Sequence, residues 1–94
     1  METYVTLVTG TGKPGAMEAA SKAIADSGCR QVATYMLMGE YDVLVIIEAP
    51  DAMTAASAIW SAREAAGNDD SRTQTMRAFT QAEMAQLRQK ITTA

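Results

Sequence analysis

The sequence contains no histidine. That absence removes the commonest general base, proton shuttle and metal ligand. A His-dependent triad, a zinc finger and a His-based metal site go with it. Cysteine is scarce as well: Cys29 stands alone, so no internal disulfide can form, which suits a reducing compartment. Aromatics make up 5% of the chain. No apolar run approaches the ~20 residues that a membrane-spanning helix takes. The opening residues METYVTLVTG show no charged segment followed by an apolar one, so no signal peptide is read and the cytoplasm is the expected location. Basic residues number 8 against 11 acidic ones, for a net charge of −3, and they form no run. A nucleic-acid binder usually carries a basic stripe, so neither nucleic acid nor membrane is expected as a partner.

What is present is apolar bulk. Hydrophobic residues reach 48%, mostly aliphatics, alanine and 7 methionines. This composition argues for a folded globule. The 94 residues allow one domain over 1–94 with one core.

Residues 3–9 read as a strand rich in β-branched and aromatic side chains. Gly10 to Gly15 breaks it. A helical pattern opens at Pro14, with Met17, Ala20, Ala23 and Ile24 at helical spacing, and Gly28 suits a left-handed position past its end. Residues 31–38 and 41–48 read as a hairpin about Gly39-Glu40, taken as a two-residue type II′ turn. Asp51 is placed to N-cap a second helix reaching about Ala66, followed by Gly67-Asn68 and a polar turn at Asp69-Asp70-Ser71. Residues 72–78 form a fourth strand. Thr80-Gln-Ala-Glu83 matches a capping box, with Phe79 and Met84 spaced for a hydrophobic staple. The helix it opens carries Met84, Leu87 and Ile91 on one stripe, and Thr92 to Ala94 are expected to fray. The order βαββαβ plus a C-terminal helix is the ferredoxin-like α+β pattern. It implies a four-stranded antiparallel sheet in order 4-1-3-2 with both long helices on one face.

The Gly39-Glu40 turn sets a register for the hairpin. Met38 with Tyr41, Met36 with Val43, Thr34 with Val45 and Val32 with Ile47 then lie under the helices. Leu37 with Asp42, Tyr35 with Leu44, Ala33 with Ile46 and Gln31 with Glu48 lie on the other face. Alternation sends Val5, Leu7, Met76 and Ala78 inward, and adds Tyr4, Thr6, Val8, Thr73, Thr75 and Arg77 to that second face. Such a face is too apolar to stay open to water, so a second copy or the terminal helix is expected to cover it. A homodimer or higher oligomer follows, and two sheets meeting face to face would enclose a barrel-like cavity.

Gly10-x-Gly12-x-x-Gly15 matches a dinucleotide fingerprint formally, between a strand and a helix. The chain is too short for a Rossmann domain, Pro14 lacks an amide donor, and no acid follows at the ribose spacing. The segment reads as a βα loop, with a small anion near Lys13 as the lesser reading. Asp42 is either a solvated strand-edge acid or a carboxylate at the cavity mouth that acts as base or hydrogen-bond partner. Glu48 and Arg77 lie level at the opposite end, as an ion pair or with Arg77 anchoring a ligand carboxylate. Tyr4, Tyr35 and Tyr41 are the remaining neutral acid-base groups, though packing accounts for them too. Trp60 and Met36, Met38, Met53, Met76 and Met84 read as core, and Cys29 as a small apolar residue. No carboxylate cluster has metal spacing, so neither a metal nor a cofactor is expected.

The stretch Gly39-Glu-Tyr-Asp-Val-Leu-Val-Ile-Ile-Glu-Ala-Pro-Asp51 resembles the GYD-domain family. So does Arg72-Thr-Gln-Thr-Met-Arg-Ala-Phe-Thr80 followed by Glu83-Met84. The matching positions are Gly39, Tyr41, Asp42, Glu48, Pro50, Arg72, Thr73, Thr75, Arg77 and Phe79. The resemblance implies a ferredoxin-like domain and little about activity. The short segment from Gly10 to Gly15 departs from the family, whose members usually carry a longer one. The layout is similar, more distantly, to dimeric α/β-barrel proteins and to effector-sensing domains of leucine-responsive regulators. These include both cofactor-free enzymes and ligand sensors.

Three functions are therefore expected in order. The first is an oligomeric domain binding a small molecule through Tyr4, Tyr35, Asp42, Glu48 and Arg77 near a subunit interface. The second is a cofactor-independent isomerase, cyclase or monooxygenase with Asp42 or Tyr35 as its acid-base group. The third is a purely structural oligomer.

Overall fold

The computed structural model describes residues 1–10, 12–67 and 71–93. Along the chain run β1 (Glu2–Val8), α1 (Ala16–Asp26), β2 (Arg30–Met36), β3 (Val43–Ala49), α2 (Ala52–Ala66), β4 (Thr73–Ala78) and α3 (Gln81–Thr93). The sheet is four-stranded in the order β2-β3-β1-β4, which is the expected order read from its other edge. Every neighbouring pair is antiparallel. The readings at Asn68, Asp69, Asp70 and Ala94 lie outside the described residues.

The local signals explain where the helices start and stop. Asp51 N-caps α2: its Oδ1 accepts from the Thr54 amide at 2.7 Å. That bond holds the Asp51 carboxyl below the usual carboxylate range. Gly67 ends α2 in the left-handed region at φ 64. At α3 the capping box closes in both directions. The Glu83 amide donates to Thr80 Oγ1 at 3.1 Å, and the Thr80 amide donates to Glu83 Oε1 at 2.9 Å. α1 begins two residues later than Pro14 suggests, with Gly15 left-handed at its N-cap and no side-chain cap.

The core is made of small and branched residues. Tyr4, Ile24, Ile47, Ala49, Ala55, Ala58 and Ala62 are buried together, with Ala20, Ala23, Val45 and Ile59 packed against them. Alanines let α2 press close to the sheet. This corrects the reading of the bulkier residues. Trp60 is 64% exposed, and Met36, Met38, Met53, Met76 and Met84 are all exposed.

The hairpin register agrees with expectation over Met36–Val43, Tyr35–Leu44, Thr34–Val45 and Ala33–Ile46. It departs at a bulge between Gln31 and Ala33, so Gln31 rather than Val32 opposes Ile47. The extra residue brings Arg30 beside Glu48, where the two form an ion pair at 2.6 Å. The turn is not type II′, because Gly39 is not among the glycines with positive φ. A wider loop is closed instead by the Leu37 amide donating to the Asp42 carbonyl at 2.8 Å.

The faces of β1 and β4 are the reverse of those expected. Tyr4, Thr6 and Val8 pair with Ile47, Val45 and Val43, and so lie on the helix side. Arg77, Thr75 and Thr73 pair with the same three residues of β1 and share that side. Thr6 is 1% exposed, and its hydroxyl meets that of Thr75 at 2.9 Å. β1 is a central strand with apolar residues at both alternate positions, so alternation alone cannot choose its inner face. The choice is made by pairing with β3, which the Asp42 amide extends by donating to the Val8 carbonyl at 2.9 Å. Val5, Leu7 and Met76 consequently join Leu44 and Ile46 on the face that carries neither α1 nor α2.

Candidate functional site

The five residues expected to meet a ligand fall at separate places. Tyr4 and Arg77 are together on the helix side, where β1 and β4 pair. Tyr35 is 58% exposed on the open face, beside Leu44. Glu48 is on β3 at the far end of that face, bound to Arg30 rather than level with Arg77. Asp42 is in the hairpin loop. The two acid-base candidates, Asp42 and Tyr35, belong to different surroundings.

Arg77 is the most heavily engaged side chain. Its guanidinium lies 4.5 Å from the Phe79 ring centroid and 5.6 Å from that of Tyr4. Its Nη2 donates to Glu83 at 3.0 Å, and its Nη1 donates to the Thr3 and Ala78 carbonyls. Glu2 lies 3.9 Å from Nε and also accepts from the Tyr4 hydroxyl at 2.6 Å. That hydrogen bond raises the Tyr4 pKa, with burial adding to it. Arg77 thus ties β4 to β1 and to the start of α3. A ligand carboxylate here would have to displace Glu83 or Glu2. Phe79 and Glu83 were not among the expected site residues, although both stand in the motif that matches the family.

The Gly-Glu-Tyr-Asp stretch acts as a clasp at the opposite end of the sheet. Asp42 Oδ2 accepts from the Gly10 amide at 2.5 Å. The Tyr41 hydroxyl donates to Gln74 Oε1 on β4 at 2.9 Å. Beside it, Thr9 and Arg72 exchange bonds: the Thr9 amide reaches the Arg72 carbonyl at 2.9 Å, and the Arg72 amide reaches Thr9 Oγ1 at 2.7 Å. The hairpin loop, the end of β1 and the approach to β4 are held as one unit.

Two hollows lie on the helix side. One is a cavity of about 90 Å³ between the sheet and both helices, lined by residues such as Val45, Ala20, Ile24 and Ala62. The other is an open groove of about 440 Å³ along α2 and β4, lined by Tyr4, Trp60, Thr75 and Arg77 among others. Ile59, Arg63 and Thr73 border both. Asp42 lines neither. Arg63 was not an expected site residue, and no motif marks it. Its signal is the spacing of Ala55, Ala58, Ile59 and Ala62 beside it, a stripe of small residues facing the sheet. Burial pushes the Cys29 thiol up, away from an activated thiolate. Among the described residues no group of three or more Cys, Asp or Glu side chains is placed to hold a metal ion. None of their helices is long and apolar enough to cross a membrane.

The model of the GYD domain matches residues 6–87. The chain belongs to the GYD-domain family. Solved structures share the fold of this GYD domain at low identity. One is a candidate glycine cleavage system transcriptional repressor, with TM-score 0.62 and 17% identity over 84% of this chain and 47% of its own. Another is the leucine response regulatory protein of Mycobacterium tuberculosis, with TM-score 0.59 and 14% identity over 84% of this chain and 51% of its own. A third, a protein of Thermus thermophilus, has TM-score 0.54 and 21% identity over 85% of this chain and 95% of its own. The GYD domain spans about half the length of the first two and nearly all of the third. No curated protein sequence matches it.

Proposed function

We propose that this GYD domain is a non-enzymatic, small-molecule-binding module that works as a homo-oligomer, a second copy covering the open sheet face. The observation that carries the reading is the composition of that face. Val5, Leu7, Leu44, Ile46 and Met76 are brought together there by the pairing of β1 with β3 and β4. Neither α1 nor α2 lies over them. Isolated apolar residues on a surface are ordinary, but a contiguous apolar patch marks an interaction site. In such an assembly Tyr35 and Glu48 stand at the boundary between copies, as ligand contacts. Tyr4, Arg77 and Asp42 contribute from the edges of the sheet. The names of two structurally similar proteins, a transcriptional repressor and a leucine response regulator, support sensing over catalysis. So does the engagement of Asp42 with the Gly10 amide, which leaves it outside both hollows.

Gel filtration with light scattering at micromolar concentration tests the assembly. The expected mass is at least twice the 10.0 kDa of the chain. A clean monomer would sink the proposal. Native mass spectrometry of freshly purified protein then reports any retained ligand.

A further inference from the structure

Two apolar surfaces of this chain are left uncovered, and they differ in shape. One is the open sheet face. Val5, Leu7, Leu44 and Ile46 are on the two central strands, yet each is only half-buried, while Thr6, Val43 and Ile47 on the opposite side are buried. The other is α3, where every residue from 81 to 92 except Glu83 is exposed. A helix of 13 residues is marginal in water by itself and is stabilised by packing an apolar stripe. Met84, Leu87 and Ile91 form such a stripe at helical spacing, and all three are exposed. The surplus has the size of an interface. The chain exposes 6333 Å², where a compact monomer of 10.0 kDa shows about 5,200 Å². The excess of about 1,100 Å² is above the ~800 Å² that each partner gives to a standard interface. The radius of gyration, 14.5 Å, also exceeds the ~12 Å of a compact chain of this length.

We infer that α3 is an arm exchanged between copies, its stripe of Met84, Leu87 and Ile91 seated on the open sheet face of a second chain. This rests on the reading that a second copy covers that face, and it names the part of the copy that does so. The root of the arm excludes the face of its own chain. Arg77 is on the helix side, where it holds Glu83 at 3.0 Å and lies 4.5 Å from the Phe79 ring centroid. With the capping box at Thr80, these contacts start α3 on the helix side, and the open face of the same chain is across the sheet. To reach it, α3 would have to release Arg77. The dimensions of stripe and face agree. From Met84 to Ile91 the stripe runs about 10 Å along the helix. The face presents Leu44 and Ile46 on β3, Val5 and Leu7 on β1 and Met76 on β4, three strands that together measure about 10 Å across. Direct contact between two sheets would cover the faces and leave both stripes in water. Exchange covers faces and stripes at once. Each copy gives one arm and takes one, so two chains close the assembly.

The test combines two variants of the full chain, each followed by light scattering with circular dichroism as the check on folding. Leu87→Lys spoils the arm at an exposed position and leaves the face intact. Leu44→Lys spoils the face and leaves the arm intact; Met76→Lys, at an exposed position of β4, replaces it if it does not fold. Each variant alone is expected to run at the mass of one chain. Their equimolar mixture is expected to form a species of two chains, because the good arm of one fits the good face of the other. In wild-type protein mixed from labelled and unlabelled chains, isotope-filtered NMR should show contacts from the Leu87 and Ile91 methyls of one chain to the Val5, Leu44 and Ile46 methyls of the other. Leu87→Lys at the wild-type mass, a mixture that stays at one chain, or no such contact between chains would overturn the exchange. If Leu44→Lys alone separates the copies and Leu87→Lys does not, the sheets meet directly: the exchange falls and the sheet-face proposal stands. A monomeric wild-type chain overturns both.

Discussion

Glu83 shows how much one side chain can carry. Its carboxylate accepts from the Thr80 amide and from Arg77, so it caps α3 and anchors β4 at once. The Thr80 amide first, and Arg77 second, hold its carboxyl below the usual carboxylate range. A carboxyl depressed in the folded state adds stability above its unfolded pKa, near 4.3 for glutamate. That stability is lost as pH falls through the folded value. Helix content by circular dichroism should therefore fall as pH drops below about 4, and part of the fall should vanish in Glu83→Gln. Gln keeps the box geometry but has no charge to lose. An identical acid titration in Glu83→Gln would contradict this role. Thr80→Ala should cost about 1 kcal/mol, read from urea unfolding. At this scale the sequence was a good guide. A capping box is a contact between residues three apart, so its spacing alone locates it. The partners of Arg77 on β1 were not legible, because Glu2 and Tyr4 reach it only through strand pairing.

Elements depend on how the chain turns. Gly12 has φ +75, and a Cβ built on it would meet the Ala16 Cβ at 2.7 Å. Gly12→Ala should therefore destabilise by at least about 1–2 kcal/mol through backbone strain alone, seen as a lower urea midpoint with unchanged slope. Gly39 behaves differently. Its φ is not in the left-handed region, and a Cβ there meets nothing within 4 Å. Gly39→Ala should leave stability within about 0.5 kcal/mol, although Gly39 opens the family motif. A large loss would show that the loop needs glycine for a reason outside this chain's own packing. The number and order of strands and helices were legible because turn residues and periodicity are local. The bulge at Val32 was not. It depends on which pairing gives Glu48 a cationic neighbour, and Gln31 and Arg30 are adjacent in the chain.

Among the described residues, many large apolar side chains stay exposed. The described residues extend 50 × 30 × 19 Å. Along α3 every residue from 81 to 92 except Glu83 is exposed, including the stripe of Met84, Leu87 and Ile91. Met53 and Trp60 on α2 are exposed too. If a second copy covers the open sheet face, a charge in its middle should separate the copies. Leu44→Lys should bring the mass seen by light scattering down to that of one chain and leave the circular dichroism spectrum in place, since Leu44 is only part-buried. Unchanged mass would place the interface elsewhere.

The sequence by itself determined the elements, their order, the caps of α2 and α3 and the family. Each rests on neighbours in the chain or on a composition that one residue cannot reverse. Only the tertiary structure decided which face of β1 and β4 turns inward. A one-residue shift in pairing exchanges the two faces of a strand, and both faces of a central strand are apolar. That decision moved Tyr4 and Arg77 to the helix side and set Val5, Leu7 and Met76 on the open face. The missing histidine excludes much catalytic chemistry from the start, but the positions of the remaining Asp, Glu, Tyr and Arg come from strand pairing.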